Sequence, residues 1–356
     1  MNEFELIERI FSQMQAAPSS SSTVDKVNVD KVNVDKGGVE KGIGDDAAVM
    51  SLPAGSRLVS CIDTLVQGRH FSADWEQVNK LAFAIGYKAV AVNISDIAAM
   101  GATPHSILLA LALPERLANE PWLTEFAKGL FHACQLFGVT LIGGDTTRSD
   151  SLILSVSAQG LLAASTPAVY RSGAQVGDKI YVSGTLGDAA YALQHPDNAQ
   201  GVELAHRLHM PTPRIALGAA LAKIGATSMI DISDGLYQDL GHICQQSNVG
   251  MRIHLEQLPT SKALASSELT ERLLCQLAGG DDYELAFTLP AYIEPPIDNS
   301  SNTPVTCIGE VIAVNDTNAA KSLRPEIFYQ GQPVTAAHPV PFSTWPNLTG
   351  YQHFAG

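Results

Sequence analysis

A long and almost uncharged stretch limits what this chain can fold into. Between Lys88 and Glu115 the only charged side chain is Asp96, and its neighbours in sequence are small or apolar. A carboxylate in such surroundings is costly unless a base or a metal ion pairs with it, and no Lys or Arg lies close to it in the sequence. The stretch therefore predicts core structure that carries one functional carboxylate.

Composition favours a two-domain α/β enzyme. The 356 residues are long for a single core. Hydrophobic residues make up 46% and charged residues 16%, so a large core can be buried, and aromatic residues are few. The formal charge of −14 argues against a nucleic-acid partner, because no basic patch is available to displace counterions. An anionic small ligand stays compatible if divalent cations accompany it.

Cysteine usage and the N-terminus predict a cytoplasmic protein. The five cysteines are odd in number, widely spaced and without a CxxC pair, which favours free thiols in a reducing compartment. The first residues lack the basic-then-apolar form of a signal peptide. Asn93, Asp96 and Pro104 make the apolar stretch a poor membrane span, so we expect no membrane partner.

Hydrophobic periodicity predicts alternating helices and strands. The predicted helices cover 75–92, 121–137 and 261–277, and the predicted strands cover 57–66, 105–113, 139–142, 152–162, 179–183 and 250–258. The first of these helices runs into Asn93–Asp96 and is expected to end at Gly101. Residues 18–41, with their serines and repeated Val-Asn-Val-Asp-Lys, predict a flexible loop to which we assign no chemistry.

Six aspartates share one local context, because each ends an apolar element beside Gly, Ser or Thr. They are Asp46, Asp63, Asp96, Asp145, Asp231 and Asp281. Taken singly, such an aspartate is more often a turn former or a helix cap. If the elements converge, the charges cannot all persist without cations, and phosphoryl transfer from ATP needs shared magnesium ions of this kind. In particular, Asp96 is explained only if Asp46, Asp63 and Asp145 converge on it.

Other catalytic templates are missing from the sequence. It contains no Gly-x-x-x-x-Gly-Lys-[Ser/Thr], no Gly-x-Gly-x-x-Gly after a strand, no HExxH and no Gly-x-Ser-x-Gly. The isolated histidines, His242 among them, show no metal-ligand spacing and are expected to be structural or exposed.

Seven motifs carry more information than the aspartate pattern alone. They are Gly42-Ile-Gly-Asp-Asp46-Ala47, Asp63-Thr-Leu-Val66 with Gly68 and His70-Phe71, Asn93-Ile-Ser-Asp96, Gly143-Gly-Asp145-Thr-Thr-Arg148, Arg171-Ser-Gly-Ala174, Asp231-Ile-Ser-Asp234-Gly-Leu236 and Gly279-Gly-Asp281-Asp282-Tyr-Glu284. In this order, over nearly the whole chain, they resemble the thiamine-monophosphate kinase family. Its superfamily includes aminoimidazole ribonucleotide synthetase, selenophosphate synthetase and the hydrogenase maturation protein HypE.

The resemblance implies a fold and an activity. The fold is α/β (α+β), a two-domain aminoimidazole ribonucleotide synthetase-like architecture. Residues 1–163 form an ATP- and magnesium-binding domain whose sheet pairs across a homodimer, and residues 164–356 form a C-terminal α/β domain. The activity is phosphorylation of thiamine monophosphate to thiamine diphosphate, with ATP as co-substrate and several Mg²⁺ ions, by direct in-line transfer.

The resemblance also implies roles for single residues. The implied magnesium ligands are Asp46, Cys61, Ile62, Asp63, Asp96, Asp145, Asp231 and Asp234. The implied ATP contacts are Gly144, Asp145, Arg171 and Ser233, and the implied substrate contacts are His70, Asp281 and Tyr351. Catalytic roles fall on Asp96, Asp145 and Arg171.

Three departures from the family pattern bear on these roles. Cys61-Ile62 stands where the family commonly has Ser-Thr, which removes a side-chain oxygen ligand and leaves the Ile62 carbonyl. Asp281 stands where Glu is common, and the 18–41 segment is longer than usual. Two alternatives stay open: another ATP-using enzyme of the superfamily, or a nucleotide-binding protein without turnover. The first cysteine at Cys61 and the absence of a C-terminal cysteine speak against the selenophosphate synthetase and HypE branches.

Overall fold

The computed structural model describes residues 11, 38–44, 46–296, 303–314 and 323–334. Tyr351 and residues 18–37 of the predicted loop lie outside this part of the chain. The chain divides into two compact units. One is built from residues up to Ile97 and from Ala102–Thr166, and the other from Ala98–Gly101 and residues from Pro167 onward. The roles assigned to residues 1–163 and 164–356 stay predictions.

The first unit contains a four-stranded sheet and a separate strand pair. Its strands are β1 (Gly38–Lys41), β2 (Val49–Ser51), β3 (Arg57–Val66), β4 (Thr103–Leu113), β5 (Thr140–Arg148) and β6 (Ile153–Leu162). Its helices are α1 (Trp75–Lys80), α2 (Ala82–Ala99) and α3 (Glu120–Phe137). β1 pairs with β2, and the other strands lie in the order β3-β6-β4-β5. Within this four-stranded sheet β4 and β5 pair in parallel, as the intervening helix α3 allows, and the other neighbouring strands are antiparallel.

Helix α2 contains the apolar stretch and is buried nearly all round. Val90, Ile94 and Ile97 have no exposed surface, and the helix ends just before Gly101, whose φ of 71° is left-handed. The predicted end of this helix is therefore confirmed. By length and composition α2 could span a membrane, but 83% of it is buried inside the structure, as in the core helix of a globular unit.

Two glycines let α2 and α3 approach closely. A Cβ on Gly86 would lie 2.2 Å from the Phe126 carbonyl oxygen, and a Cβ on Gly129 would lie 1.9 Å from the Phe83 carbonyl oxygen. Real side chains do not reach such distances, so only glycine permits this crossing. Helix α3 begins at an Asn119 cap, whose side chain accepts a hydrogen bond from the Trp122 amide at 3.1 Å.

The second unit is a mixed sheet with helices. Its strands are β7 (Lys179–Ser183), β8 (Ser228–Asp231), β9 (Gly250–His254), β10 (Leu285–Leu289), β11 (Val305–Ile312), β12 (Pro325–Tyr329) and β13 (Gln332–Pro333), in the order β13-β12-β9-β11-β7-β10-β8. Its helices are α4 (Asp188–Gln194), α5 (Ala199–His209), α6 (Ile215–Ile224), α7 (Leu236–Ser247) and α8 (Leu269–Ala278). Along β10, Ala286 belongs to one apolar cluster and Phe287 to another, so both faces of the sheet are covered.

Several elements differ from the sequence prediction. The helix expected over 75–92 is divided at Leu81 into α1 and α2. The helix expected over 261–277 begins only at Leu269, because Glu268 caps it by accepting hydrogen bonds from the Thr270 and Glu271 amides. The strand expected over 250–258 ends at His254 and continues as a short 3₁₀ turn. The strand expected over 139–142 continues to Arg148, because its ladder with β4 runs through the glycine pair.

Candidate functional site

Strand β3 and helix α2 bring together three predicted site residues, Cys61, Asp63 and Asp96. The Asp63 amide donates to Asn93 Oδ1 at 3.0 Å, and the Cys61 thiol donates to the Asn93 carbonyl at 3.4 Å. Burial raises the pKa of the Cys61 thiol, and the nearby charges of Asp96 and Asp63 raise it further. The thiol is therefore neutral at physiological pH. A neutral, soft sulfur is a poor ligand for a hard cation, so Cys61 acts here as a hydrogen-bond donor.

Asp145 lies away from that cluster. It is on β5, at one edge of the sheet, whereas Asp63 is on β3 at the other edge. Three strand spacings separate these edges by roughly 14 Å. The ladders align Asp145 with Ala110, Ser155 and Thr64 in one row. Since Thr64 is the neighbour of Asp63 and side chains alternate along a strand, Asp145 and Asp63 face opposite sides. The expected convergence of Asp63 and Asp145 does not occur within one chain.

The remaining predicted residues of the first unit are exposed or half-buried, some in turns and some on strands. Asp46 is exposed between β1 and β2. A Cβ on nearby Gly42 would lie 3.8 Å from the Ile142 carbonyl, which places this turn beside β5, the strand of Asp145. His70 Nδ1 accepts a hydrogen bond from the Val66 amide at 3.0 Å. Gly144 and Ile62 are exposed.

In the second unit, the loop after β8 is fixed by a carboxylate that the sequence analysis missed. Asp231 ends β8 and is only 4% exposed. The amides of Ser233, Asp234 and Gly235 all donate to Asp239 Oδ2, at 3.1, 3.2 and 3.1 Å. Asp239 lies in the first turn of α7, so its carboxylate faces the loop that precedes the helix. This contact sets the backbone of two predicted ligand residues.

Asp239 also belongs to a cluster that could hold a cation. Asp234, Asp239 and His242 each place a potential ligand atom within 4.8 Å of the others. Burial raises the pKa of Asp239, and the charges of Asp231 and Asp234 raise it further, so this group of carboxylates is electrostatically costly. Such a donor set suits a divalent cation. The helical spacing of Asp239 and His242 was the signal that could have found them.

Arg171 lies close to the same cluster. Burial lowers the pKa of His242, and the charge of Arg171 lowers it further, whereas Asp234 raises it. Arg171 itself is exposed. The predicted ATP contacts Arg171 and Ser233 and the predicted ligand Asp234 therefore share one region of the second unit.

The predicted substrate contact Asp281 lies against this loop. Its amide donates to the Ser233 carbonyl at 2.9 Å, and the Tyr283 amide donates to the Ile232 carbonyl at 2.8 Å. Between them, the buried Asp282 accepts the Gly187 amide with both oxygens, at 2.9 and 3.1 Å. The predicted ATP and substrate residues of this unit are thus joined through backbone hydrogen bonds. Tyr351 lies outside the described residues.

The same segment is anchored by a buried ion pair. Glu284 has no exposed surface and accepts hydrogen bonds from the Ser183 hydroxyl at 2.6 Å, from Arg207 Nη2 at 2.7 Å and from Arg214 Nε at 2.6 Å. Burial favours the neutral acid, but the two guanidinium groups outweigh it and lower the pKa of Glu284. No pattern in the sequence pairs these residues.

Known proteins match the chain over both units. Residues 44–162 match the AIR synthase related protein N-terminal domain, and residues 175–321 match its C-terminal domain. The thiamine-monophosphate kinase of Salmonella typhimurium is 40% identical over 364 aligned positions, covering 99% of this chain and 98% of that protein. The chain belongs to the thiamine-monophosphate kinase family. The Haemophilus influenzae member of this family is 36% identical with the same coverage.

Solved structures agree with the family assignment. The thiamine-monophosphate kinase from Stenotrophomonas maltophilia K279a has a TM-score of 0.72 and 38% identity, over 88% of this chain and 97% of that one. A structure described as AaThiL complexed with AMPPCP and TMP has a TM-score of 0.68 and 30% identity, over 85% and 89%. The predicted family and its two-domain aminoimidazole ribonucleotide synthetase-like fold are confirmed.

Proposed function

We propose that this chain phosphorylates thiamine monophosphate to thiamine diphosphate with ATP. The observation that carries the proposal is the sequence identity of 40% and 36% with two thiamine-monophosphate kinases over 99% of this chain. The likeness to the AaThiL complex supports it, because AMPPCP is an analogue of ATP. The juxtaposition of Ser233 and Asp281 supports it too, since the two residues were predicted to contact different reactants.

The proposal includes magnesium ions bound by carboxylates of both units. In the first unit Asp63 and Asp96 would hold an ion, with the Ile62 carbonyl as a further oxygen donor, and in the second unit Asp231 and Asp234 would do so. Partly buried carboxylates fit a hard cation, whereas the neutral Cys61 thiol does not. Bound magnesium supplies neutralisation of the charge on two anionic reactants.

The chain's own residues then act by positioning. A terminal phosphate oxygen of thiamine monophosphate is already ionised near neutral pH, so its in-line attack on the γ-phosphorus of ATP needs no strong general base. The bond from the γ-phosphorus to the β,γ-bridging oxygen breaks, and ADP leaves. In this proposal Arg171 contributes a fixed positive charge, and Gly144 and Ser233 contact the nucleotide. His70, Asp281 and Tyr351 orient the acceptor in this proposal, which brings the two reactants to the geometry of direct transfer.

We also propose a cytoplasmic homodimer in which a second copy covers the open face of the four-stranded sheet. Ile62 is 66% exposed, Leu58 52% and Leu108 38%. The ladders pair Ile62 with Ser157 and Ser157 with Leu108, so the two apolar side chains lie on one face, in one row and on either side of Ser157. Asp145 points to that same face. Dimerisation there would bury the apolar row, and in this proposal it brings Asp145 to the partner's edge strand β3, which carries Asp63.

An ADP-release assay tests the activity. Thiamine monophosphate, thiamine and an aminoimidazole ribonucleotide precursor are offered separately with ATP and Mg²⁺, and products are separated by chromatography. We expect ADP and thiamine diphosphate when thiamine monophosphate is the acceptor, and no ADP with the other two compounds. ADP release only with the aminoimidazole precursor would identify a sister enzyme, and ATP binding without any product would identify a non-catalytic binding protein.

A further inference from the structure

The turn that carries Asp281 is held in an unusual backbone conformation. Asp281 has a φ of 61° and Tyr283 a φ of 51°, both left-handed. Aspartate tolerates this region, but for a bulky tyrosine it is a genuine outlier. Backbone strain of this kind persists only where surrounding contacts impose it, and it is concentrated at functional sites.

Contacts on three sides impose the conformation. The amides of Asp281 and Tyr283 donate to the carbonyls of Ser233 and Ile232, at 2.9 and 2.8 Å. The intervening side chain of Asp282 is held by the Gly187 amide, and the following Glu284 is held by two arginines. The turn is thus held at four consecutive residues, 281 to 284.

The strained turn brings two side chains together. The Tyr283 hydroxyl donates a hydrogen bond to Asp281 Oδ1 at 3.0 Å. Tyr283 is only 8% exposed, whereas Asp281 is half-buried. The hydroxyl of a buried ring therefore anchors the more accessible carboxylate. This hydrogen bond restrains the rotation of the Asp281 carboxylate.

We propose that Tyr283 is a positioning residue for thiamine monophosphate, acting by holding the Asp281 carboxylate toward the substrate's cationic, amine-bearing heterocycles. The inference rests on the proposed function and extends it to a residue that makes no substrate contact of its own. A carboxylate that is oriented before binding loses less conformational freedom when the substrate arrives. This matters more for Asp281 than for the longer glutamate common in the family pattern, because aspartate has less reach to correct a wrong orientation.

Tyr283→Phe tests the proposal, since it keeps the ring and the backbone but removes the hydroxyl. The cost of ordering one side chain on binding corresponds to an increase of about 3- to 10-fold in KM for thiamine monophosphate. We expect this increase in KM for thiamine monophosphate, whereas KM for ATP and kcat should change by less than about twofold. A KM for thiamine monophosphate equal to that of the wild type would overturn the proposal.

A double-mutant cycle separates positioning from a general structural effect. In an Asp281→Ala background, Tyr283→Phe should cause no further rise in KM, and additive effects would overturn the proposal. Tyr191→Phe is the matched control, because the buried Tyr191 hydroxyl also donates one hydrogen bond, to Gln200 Oε1 at 2.9 Å, without contacting Asp281. We expect that control to leave KM for thiamine monophosphate unchanged, and an equal rise there would also overturn it.

Measurements on the wild-type protein distinguish failure of the proposed function from failure of the role of Tyr283 alone. If it neither binds nor phosphorylates thiamine monophosphate, the proposed function and the role of Tyr283 both fail. If it turns over normally and Tyr283→Phe does too, only the role of Tyr283 fails. Calorimetric titration of thiamine monophosphate into each variant measures the binding change independently of turnover, and we expect the same fold-change there.

Discussion

Glu284 is a residue whose charge is tolerated only because of its partners. It is fully buried, and Arg207 and Arg214 stabilise its ionised form. Removing one partner of a buried ion pair typically costs about 3–5 kcal/mol, since the other charge is left uncompensated. Glu284→Gln should therefore lower the free energy of unfolding by about 3 kcal/mol at neutral pH, measured by urea denaturation. A loss below about 0.5 kcal/mol would show that the pair contributes little.

The same residue predicts a dependence on pH. Its pKa in the folded protein lies below the ordinary glutamate value of 4.5, so the folded state binds the proton less readily than the unfolded state. The stabilisation is thus present above that value and is lost as the pH falls through the folded-state pKa. The stability difference between wild type and Glu284→Gln should narrow in acid. A difference that stayed constant down to about pH 3 would contradict this.

Cysteine reactivity gives a second prediction at the level of single residues. Burial raises the pKa values of Cys134, Cys244 and Cys275 to about 12, and burial with two nearby carboxylates raises that of Cys61. Cys307 is exposed. Because the thiolate is the reactive form, Ellman's reagent at pH 8 should modify one thiol quickly, and Cys307→Ser should abolish this phase. A second fast thiol that Cys61→Ser removes would disprove the neutral state of Cys61.

At the level of elements, the sequence predicts what local patterns determine. Helix α2 and its end were predictable, because an apolar run and a terminal glycine act within a few residues. The strand order β3-β6-β4-β5 was not, since strand pairing depends on contacts distant in sequence. For this reason Asp63 and Asp145, grouped by motif, lie on opposite edges. Asp239 was missed because its hydrogen bonds to the preceding loop depend on the path of that loop, and its helical spacing from His242 was the one signal visible in the sequence.

The crossing of α2 and α3 gives a prediction for a pair of helices. Gly86→Ala would place a methyl group 2.2 Å from the Phe126 carbonyl, so the helices would have to move apart. Overpacking of this kind lowers the free energy of unfolding by about 1–3 kcal/mol, and we expect a lower melting temperature of the first unit. Gly241→Ala is the matched control, because nothing lies within 4 Å of a Cβ on that helical glycine. We expect the control to stabilise by about 0.5–1 kcal/mol, and equal destabilisation by both changes would refute the packing argument.

At the scale of the whole molecule, the arrangement of carboxylates predicts cooperation between two copies of the chain. Asp63 and Asp96 lie together, but Asp145 points to the opposite, open face of the sheet. In the proposed homodimer, each site combines Asp63 and Asp96 of one copy with the partner's Asp145. Asp96→Asn and Asp145→Asn should each reduce activity by orders of magnitude as homodimers, because both changes remove a charge from every site.

Mixing the two inactive variants tests that arrangement. After subunit exchange about half of the dimers are heterodimers, and each of these has one site with all its native carboxylates, so activity should return to about a quarter of wild type. Asp96→Asn mixed with Asp63→Asn is the control, since both changes fall on the same side of the site and every heterodimer site then lacks one carboxylate. Sedimentation of tagged copies confirms exchange. Heterodimers that form without restored activity would place all the carboxylates of a site in one chain.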